Sequence, residues 1–246
     1  MVRYTRSLIR AALGLSLVLA AAPLAQAQGP LEGVQVVLNQ LDNAVPGDQG
    51  SILSSRFSAT PLNDKIAADD FLIPAGPDWW QVSEVSIIGK MCLDEGSGDV
   101  VRVVIYRNDG PNDDGKPGVE ELSTRVTVQQ GSNGSCSSSA SASQYDLTPD
   151  TMIRLRPDRK YWISVHSVMD NSTLLDLSRR LYWSGRTGLY NQPAFYYTGG
   201  SEPSCNQVWV ERRVCDGTTT GDDMTWALTY TPVVVTELYV PMVSRQ

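Results

Sequence analysis

The feature that most limits this chain is a series of short β-rich runs set between clusters of Gly, Pro, Asn and Asp. The clearest are GVQVVLNQ (33–40), WQVSEVSIIGK (80–90), DVVRVVIYRN (99–108), LSTRVTVQ (122–129), KYWISVHSV (160–168), QVWVERRV (207–214) and MTWALTYT (224–231). Runs of this length, rich in Val, Ile, Thr, Tyr and Trp and bounded by turn residues, read as strands. Weaker runs surround Phe71, Tyr145, Ile153, Tyr182 and Phe195. A parallel sheet would need crossover segments of about a dozen residues, usually helical, and past the N-terminus no segment reads as a helix. The pattern therefore predicts an all-β chain of about ten strands in an antiparallel β-sandwich of jelly-roll type. In 99–108, Val101, Val103 and Ile105 alternate with Arg102, Val104 and Tyr106, which predicts one fully buried face. No internal repeat or second domain is visible.

The opening MVRYTRSLIRAALGLSLVLAAAPLAQAQG places Arg3, Arg6 and Arg10 before an apolar run from Ala11 to Ala22, then ends in Ala25-Gln26-Ala27. That order reads as a secretory signal peptide over 1–27, with cleavage before Gln28. A single β-sandwich is expected over 28–232, and 233–246 (VVVTELYVPMVSRQ) as a tail or a last edge strand. Removing residues 1–27 takes away three arginines and no acids, so the formal charge moves from -7 to -10. Such acidity, without any basic run, opposes binding to nucleic acid or anionic lipid. No later segment has the 18 consecutive apolar residues of a membrane span. The protein is thus expected to be secreted or held at the cell surface.

In an oxidising compartment the four cysteines, Cys92, Cys136, Cys205 and Cys215, are expected to form two disulfides, with three pairings formally open. Spacing favours Cys205 with Cys215, leaving Cys92 with Cys136. The nine residues between Cys205 and Cys215 read as a hairpin or an irregular loop. A redox C-x-x-C is absent, and the single histidine lies far from any cysteine pair, against a zinc site. If CNQVWVERRVC is extended, Val208 and Val210 face one side and Trp209 the other. Trp209 then either projects as a recognition tip or is buried as a clasp whose rim Glu211 and Arg212 solvate.

Candidate sites come from composition. The loop 107–118 carries Asp109, Asn112, Asp113 and Asp114, oxygen ligands that suit calcium. The EF-hand spacing fails, and a solvated Asx turn is the simpler reading. Calcium is the one cofactor left open. The small, polar 131–143 segment reads as an excursion tied down by Cys136. The motifs of α/β-hydrolases, zinc peptidases, P-loop and dinucleotide enzymes are all missing. His166, alone in a strand, reads as a packed or surface residue. A glycosidase would need two carboxylates, from among Asp69, Asp70, Glu84, Asp94, Glu95, Glu120 and Glu121; nothing selects a pair, and Asp69 and Asp70 read as turn caps. Seven aromatics between Tyr182 and Trp209 sit among Gly, Asn, Pro and Arg. Trp183, Tyr196, Tyr197, Tyr190 and Trp209 would give flat faces for sugar rings, with Arg186, Asn191 and Gln192 as polar partners. The competing reading is that these aromatics pack the end of the sandwich.

NQLDN (39–43), AADDFLIPAGPDWWQVSEVSIIG (67–89), VRVVIYRNDG, KYWISV, YWSGRTG with NQPA, Trp209 enclosed by Cys205 and Cys215, and DDMTWAL together resemble a family of bacterial exported β-sandwich domains. The resemblance lies in the order of the motifs and spans about residues 36 to 230. It implies a jelly-roll-like surface module without an assigned reaction and supplies no catalytic residues. The function expected is a noncatalytic module for carbohydrate or matrix recognition or adhesion, its partner an extracellular glycan or surface protein. The alternatives are a glycosidase-like hydrolase and a structural envelope component with no small ligand.

Overall fold

Alternating side chains need a sheet with two unlike faces, and the chain builds one continuous sheet that folds over on itself. The computed structural model describes residues 35–45, 51–57, 61–76, 78–91, 100–109, 115–130, 142–169, 180–189, 192–200, 203–217 and 223–234. All lie in the second of two compact units, Leu31–Gln246. The strands are β1 (Val36–Asn39), β2 (Ser51–Leu53), β3 (Ser55–Phe57), β4 (Lys65–Leu72), β5 (Trp79–Met91), β6 (Val100–Asp109), β7 (Lys116–Gln130), β8 (Ser143–Pro149), β9 (Ile153–Leu155), β10 (Lys160–Met169), β11 (Leu181–Arg186), β12 (Phe195–Thr198), β13 (Val210–Glu211), β14 (Asp223–Met224) and β15 (Trp226–Val233).

The hydrogen-bonded order is β1-β15-β5-β8-β7-β6-β10-β3-β4-β12-β13, with β10 also paired to β4. Strands β2, β9, β11 and β14 attach on the β5 side. Every named pair is antiparallel except β10 with β3. Strand β7 makes the corner. Its first part pairs with β6 and its last part with β8, and Val126 is shared between Val101 and Pro149. The fold-over is shown by Phe71 on β4, whose ring meets that of Trp226 on β15 at 5.7 Å although the path between them runs through five other strands. One layer is built around β15, β5 and β8, the other around β6, β10 and β4. Between them lie Val101, Val103, Ile105, Ile163, Val165, Leu147, Trp183, Trp226 and Leu228, all essentially buried. The core tryptophans keep their indole N–H groups satisfied: Trp183 donates to the Thr225 carbonyl at 2.6 Å, Trp226 to Asp69 Oδ2 at 2.8 Å, as buried indoles require.

The all-β class is as expected, but fifteen strands are present among the described residues where about ten were expected. The additions are short. β2, β3 and β14 hold two or three residues each, too few for periodicity to mark. A second correction concerns 207–214. Only Val210–Glu211 is strand, and Arg212–Asp216 is a short helix, α1, closed by Gly217 at φ 68°, the left-handed cap that glycine favours. The cause is tertiary: Cys205 and Cys215 are joined with Cα atoms 5.4 Å apart, so the chain must curl back after Val210, and a helical turn does that where a strand would run on. Pro232 lies within β15. It pairs opposite Trp80, one residue before the strand end at Val233, and the pairing with β1 stops at Tyr230, so among the described residues no partner on its other side needs its missing N–H.

Candidate ligand-binding face

The second layer has an outer face that is also partly apolar. On β6, Val104 and Tyr106 point away from the main core yet are buried. They join Ala68 and Trp162, with Phe195 and Trp209 packed against them. The expectation of a single buried face on 99–108 is therefore corrected: both faces are covered. Ala68 stands on β4, between β10 and β12, and its short side chain leaves room for Trp162 to meet Phe195 edge-on at 5.0 Å. Trp162 is fixed further by Nε1 donating to Asn108 Oδ1 at 3.0 Å and by Lys160 Nζ over its ring at 5.0 Å.

Trp209 extends this cluster to the surface. Its ring meets Tyr106 at 5.4 Å and Tyr197 at 5.6 Å, and Trp209 and Tyr197 are both half-buried. The segment is held by the Cys205–Cys215 bond, by Gln207 N donating to the Thr198 carbonyl at 2.7 Å, and by Gln207 Nε2 donating to Gly199 O at 3.1 Å. Val210 faces the main core, opposite Trp209, as alternation demands. Val208 does not join it; it precedes the strand and is 52% exposed. Arg212 is buried, not a rim residue, and its N–H donates to the Ala194 carbonyl at 2.8 Å.

Beside the cluster, where β3 and the turn Pro61–Asn63 approach β6, β7 and β10, lies a groove of about 460 Å³ lined by Arg56, Asp64, Arg102, Glu120, Ser123 and Val168, among others. Tyr106 joins it to the aromatic face: its hydroxyl feels the charges of Glu120 and Arg56 and lies near Tyr197. Burial first, then Glu120, pushes that phenol up, against the opposing pull of Arg56. Arg56 Nε contacts Asp64 Oδ2 at 3.4 Å, while Asp64 Oδ1 accepts from Phe57 N at 2.7 Å. Burial raises the Asp64 carboxyl despite both donors. Arg102 donates to Ser123 Oγ at 3.2 Å. Beneath the groove, His166 is fully buried. Its Nδ1 lies 3.3 Å from Ser164 Oγ, and among the described residues its Nε2 has no hydrogen-bond partner. Burial, reinforced by Arg56 and Arg102, lowers its pKa from 6.5 to about 3, so the imidazole is neutral.

A second polar assembly is closed to solvent. Asp69, Asp70 and Asp223 are all buried, with carboxylate oxygens within 4.8 Å of one another. Three buried carboxylates would suit a hard cation, but the chain's own cations stand beside them. Lys160 Nζ is 2.9 Å from Asp70 Oδ2, and Arg186 is 3.9 Å from Asp223 Oδ2 and 3.0 Å from Asp42 Oδ1. Asp69 accepts from Trp226 Nε1 and Met224 N. Its pKa is raised well above the usual carboxylate range by burial, then by Asp223, to which it is hydrogen-bonded, and by Asp70. Asp69 and Asp70 are thus mid-strand members of a buried network, and the expectation that they cap a turn is corrected. Their closure from solvent also removes them as a glycosidase pair. Glu84 is half-buried on β5, and Glu121 is bound to Arg107 at 3.1 Å. Of the carboxylates raised as candidates only Glu120 lines the groove; Asp94 and Glu95 lie outside the described residues.

The other candidates divide three ways. Trp183 and Tyr196 are in the main core, and Tyr196 donates to the Leu53 carbonyl at 3.3 Å, so neither ring is open to a ligand. Arg186 is committed to the buried network. Gln192 serves it too, its Oε1 accepting from Lys160 and its N–H donating to Asp70 Oδ1. Tyr197 and Trp209 alone come together at the surface. Tyr190, Asn191, Asn112, Asp113, Asp114, Cys92 and Cys136 lie outside the described residues, as do 1–27 and most of the tail; Asp109 is exposed at the end of β6. Sequence reasoning missed Arg56, Arg102 and the groove. The signal for Arg102 was its outward phase on β6, but nothing local brings β3 beside it.

No family model matches the chain. No curated protein matches it. Among solved structures, the chain is similar to the crystal structure of the cysteine protease and lectin-like domains of Cwp84, a surface layer associated protein of Clostridium difficile. The identity is 12%, the coverage 81% of this chain, and the TM-score 0.44. The chain spans 36% of the length of that one.

Proposed function

We propose that this protein is an exported, noncatalytic recognition module that takes a saccharide on its aromatic face. The observation that carries the reading is the half-buried pair Trp209 and Tyr197, backed by Tyr106, on a segment closed by Cys205–Cys215 and bordering the groove. Flat aromatic surface with a few fixed polar groups beside it suits sugar rings, and a stapled support has little ordering left to lose when the ligand arrives. Export rests on the residue order of 1–27 and on the disulfide, which belongs to an oxidising compartment. Two readings recede. A glycosidase would need two open carboxylates facing one another; the buried trio is shut off, and of the two carboxylates in the groove Asp64 is buried and held by Arg56 and Phe57 N. A purely structural envelope component would give no reason to leave Trp209 open beside a groove.

A glycan array probed with secreted protein tests the binding reading, with Trp209→Ala as the paired variant. Retained folding with lost signal supports it; an array silent for the wild type, or a variant that binds like the wild type, overturns it. Export is tested separately by N-terminal sequencing of secreted material, which should begin at Gln28.

A further inference from the structure

We propose that the groove beside the aromatic face is an oxyanion site and that the saccharide is acidic, its carboxylate received by Arg102 and Arg56 above the buried ring of His166. The proposal rests on the saccharide reading above and adds the charge and place of one group.

Arg102 comes first. In a chain of formal charge -7, its guanidinium stands in the groove with a serine hydroxyl as its partner and no ion pair among the described residues. A guanidinium presents its donors in a planar fork that matches a carboxylate edge. Arg56 adds a second positive group. It leans on Asp64, but Asp64 already accepts from Phe57 N and is a carboxyl whose burial disfavours its charge.

His166 is the second, independent observation. It pairs directly with Arg102 across β10 and β6. Strand alternation places it on the same face as Val168, which also lines the groove. A buried polar atom without a partner is uncommon and calls for an explanation. Ser164 Oγ and Nδ1 can share their hydrogen bond in either direction; in the tautomer we assign, Ser164 donates and the neutral ring carries its hydrogen on Nε2. An oxyanion held by the two arginines would place negative charge over that hydrogen. Glu120, also in the lining, opposes an anion and sets a useful sign: removing its charge should strengthen binding.

The aromatic face distinguishes a saccharide from a free anion, because Tyr106 stands cross-strand from Glu120 of the groove and meets Trp209, which meets Tyr197. A sugar stacked on the face would direct one substituent into the groove.

The chain's single histidine gives a clean reporter, the ¹⁵N signal of His166 Nε2 followed by NMR, with affinity from calorimetry. Three probes are compared: a uronic acid disaccharide, the same disaccharide with its carboxylates reduced to alcohols, and inorganic sulfate. The acidic disaccharide should bind, move the Nε2 signal and bind roughly tenfold or more tighter than the reduced one. Arg102→Gln should remove that preference, and Glu120→Gln should increase affinity for the acidic sugar. Equal binding of both disaccharides, with no response to either variant, overturns the oxyanion proposal and leaves the saccharide reading standing. Binding of sulfate with silence from both sugars overturns the proposal and the saccharide reading together. Should Arg102→Gln unfold the protein, Glu120→Gln decides, and unchanged or weaker binding by that variant overturns the proposal.

Discussion

Trp209 is neither the free tip nor the buried clasp that its sequence offered as alternatives. It covers Tyr106 and Tyr197 with one part of its ring and leaves the rest open. Trp209→Ala is therefore expected to lower stability by about 1 to 2 kcal/mol, well below the cost of emptying a core tryptophan site. Denaturant titration beside glycan binding checks it; a loss above about 3 kcal/mol would place the residue in the core. His166 makes a different prediction. Its folded pKa of about 3 lies below the unfolded value of 6.5, so between those limits the unfolded chain binds a proton that the folded chain refuses. Stability due to this residue is intact above pH 6.5 and falls as pH drops toward 3, at up to about 1.4 kcal/mol per pH unit. Equilibrium unfolding of His166→Gln across that window should show a shallower acid loss than the wild type.

The segment from Cys205 to Cys215 shows how one covalent link chooses an element. Two strand residues at Val210–Glu211 pair with β12, and α1 then brings Cys215 back beside Cys205. Only that route sends Val210 inward, Trp209 to the opposite face and Arg212 into the interior. Replacing both cysteines with serine should cost roughly 3 kcal/mol by loop-closure entropy. It should also weaken glycan binding, since the aromatic support loses its closure; unchanged affinity would show that the hydrogen bonds of Gln207 hold it unaided. In β6 the alternation was legible from the residues, and Val101, Val103 and Ile105 do face the main core. The burial of Val104 and Tyr106 on the other face was not, because it depends on Trp162, Phe195 and Trp209 arriving from distant strands.

Across the whole molecule, the buried charge network ties the two layers together. Asp69 and Asp70 come from β4, Lys160 from β10, Arg186 from β11 and Asp223 from β14, and Arg186 reaches outward from the network to the exposed Asp42 beyond β1. Asp70→Asn would leave Lys160 Nζ without the charge 2.9 Å away, and breaking a buried pair from one side costs roughly 3 to 5 kcal/mol. The double variant Asp70→Asn, Lys160→Met should recover part of that loss, because no unmatched charge then remains inside. Thermal and denaturant unfolding of the two single variants and the double variant measures the coupling. Additive losses would mean that the pair does not act as a unit.

Several stretches singled out in the sequence carry residues of this network or of its surroundings: Asp42 in NQLDN with Gln40, whose Oε1 accepts from Arg186 at 3.4 Å, Asp69 and Asp70 in AADDF, Lys160 and Trp162 in KYWISV, Arg186 in YWSGRTG, Gln192 in NQPA, Asp223 and Trp226 in DDMTWAL. What was readable along the chain was what neighbours in sequence settle: the β class, most of the longer strands, the inward set on β6, and the pairing of two cysteines ten residues apart. Strand alternation and turn chemistry act over two to four residues, so they are written locally. The convergence of those motifs, the second buried face and the groove belong to the fold alone. A carboxylate in sequence looks the same whether it caps a turn in water or sits sealed against a lysine. Its energy is decided by the dielectric around it and the partner beside it, and both are supplied by strands far away in the chain.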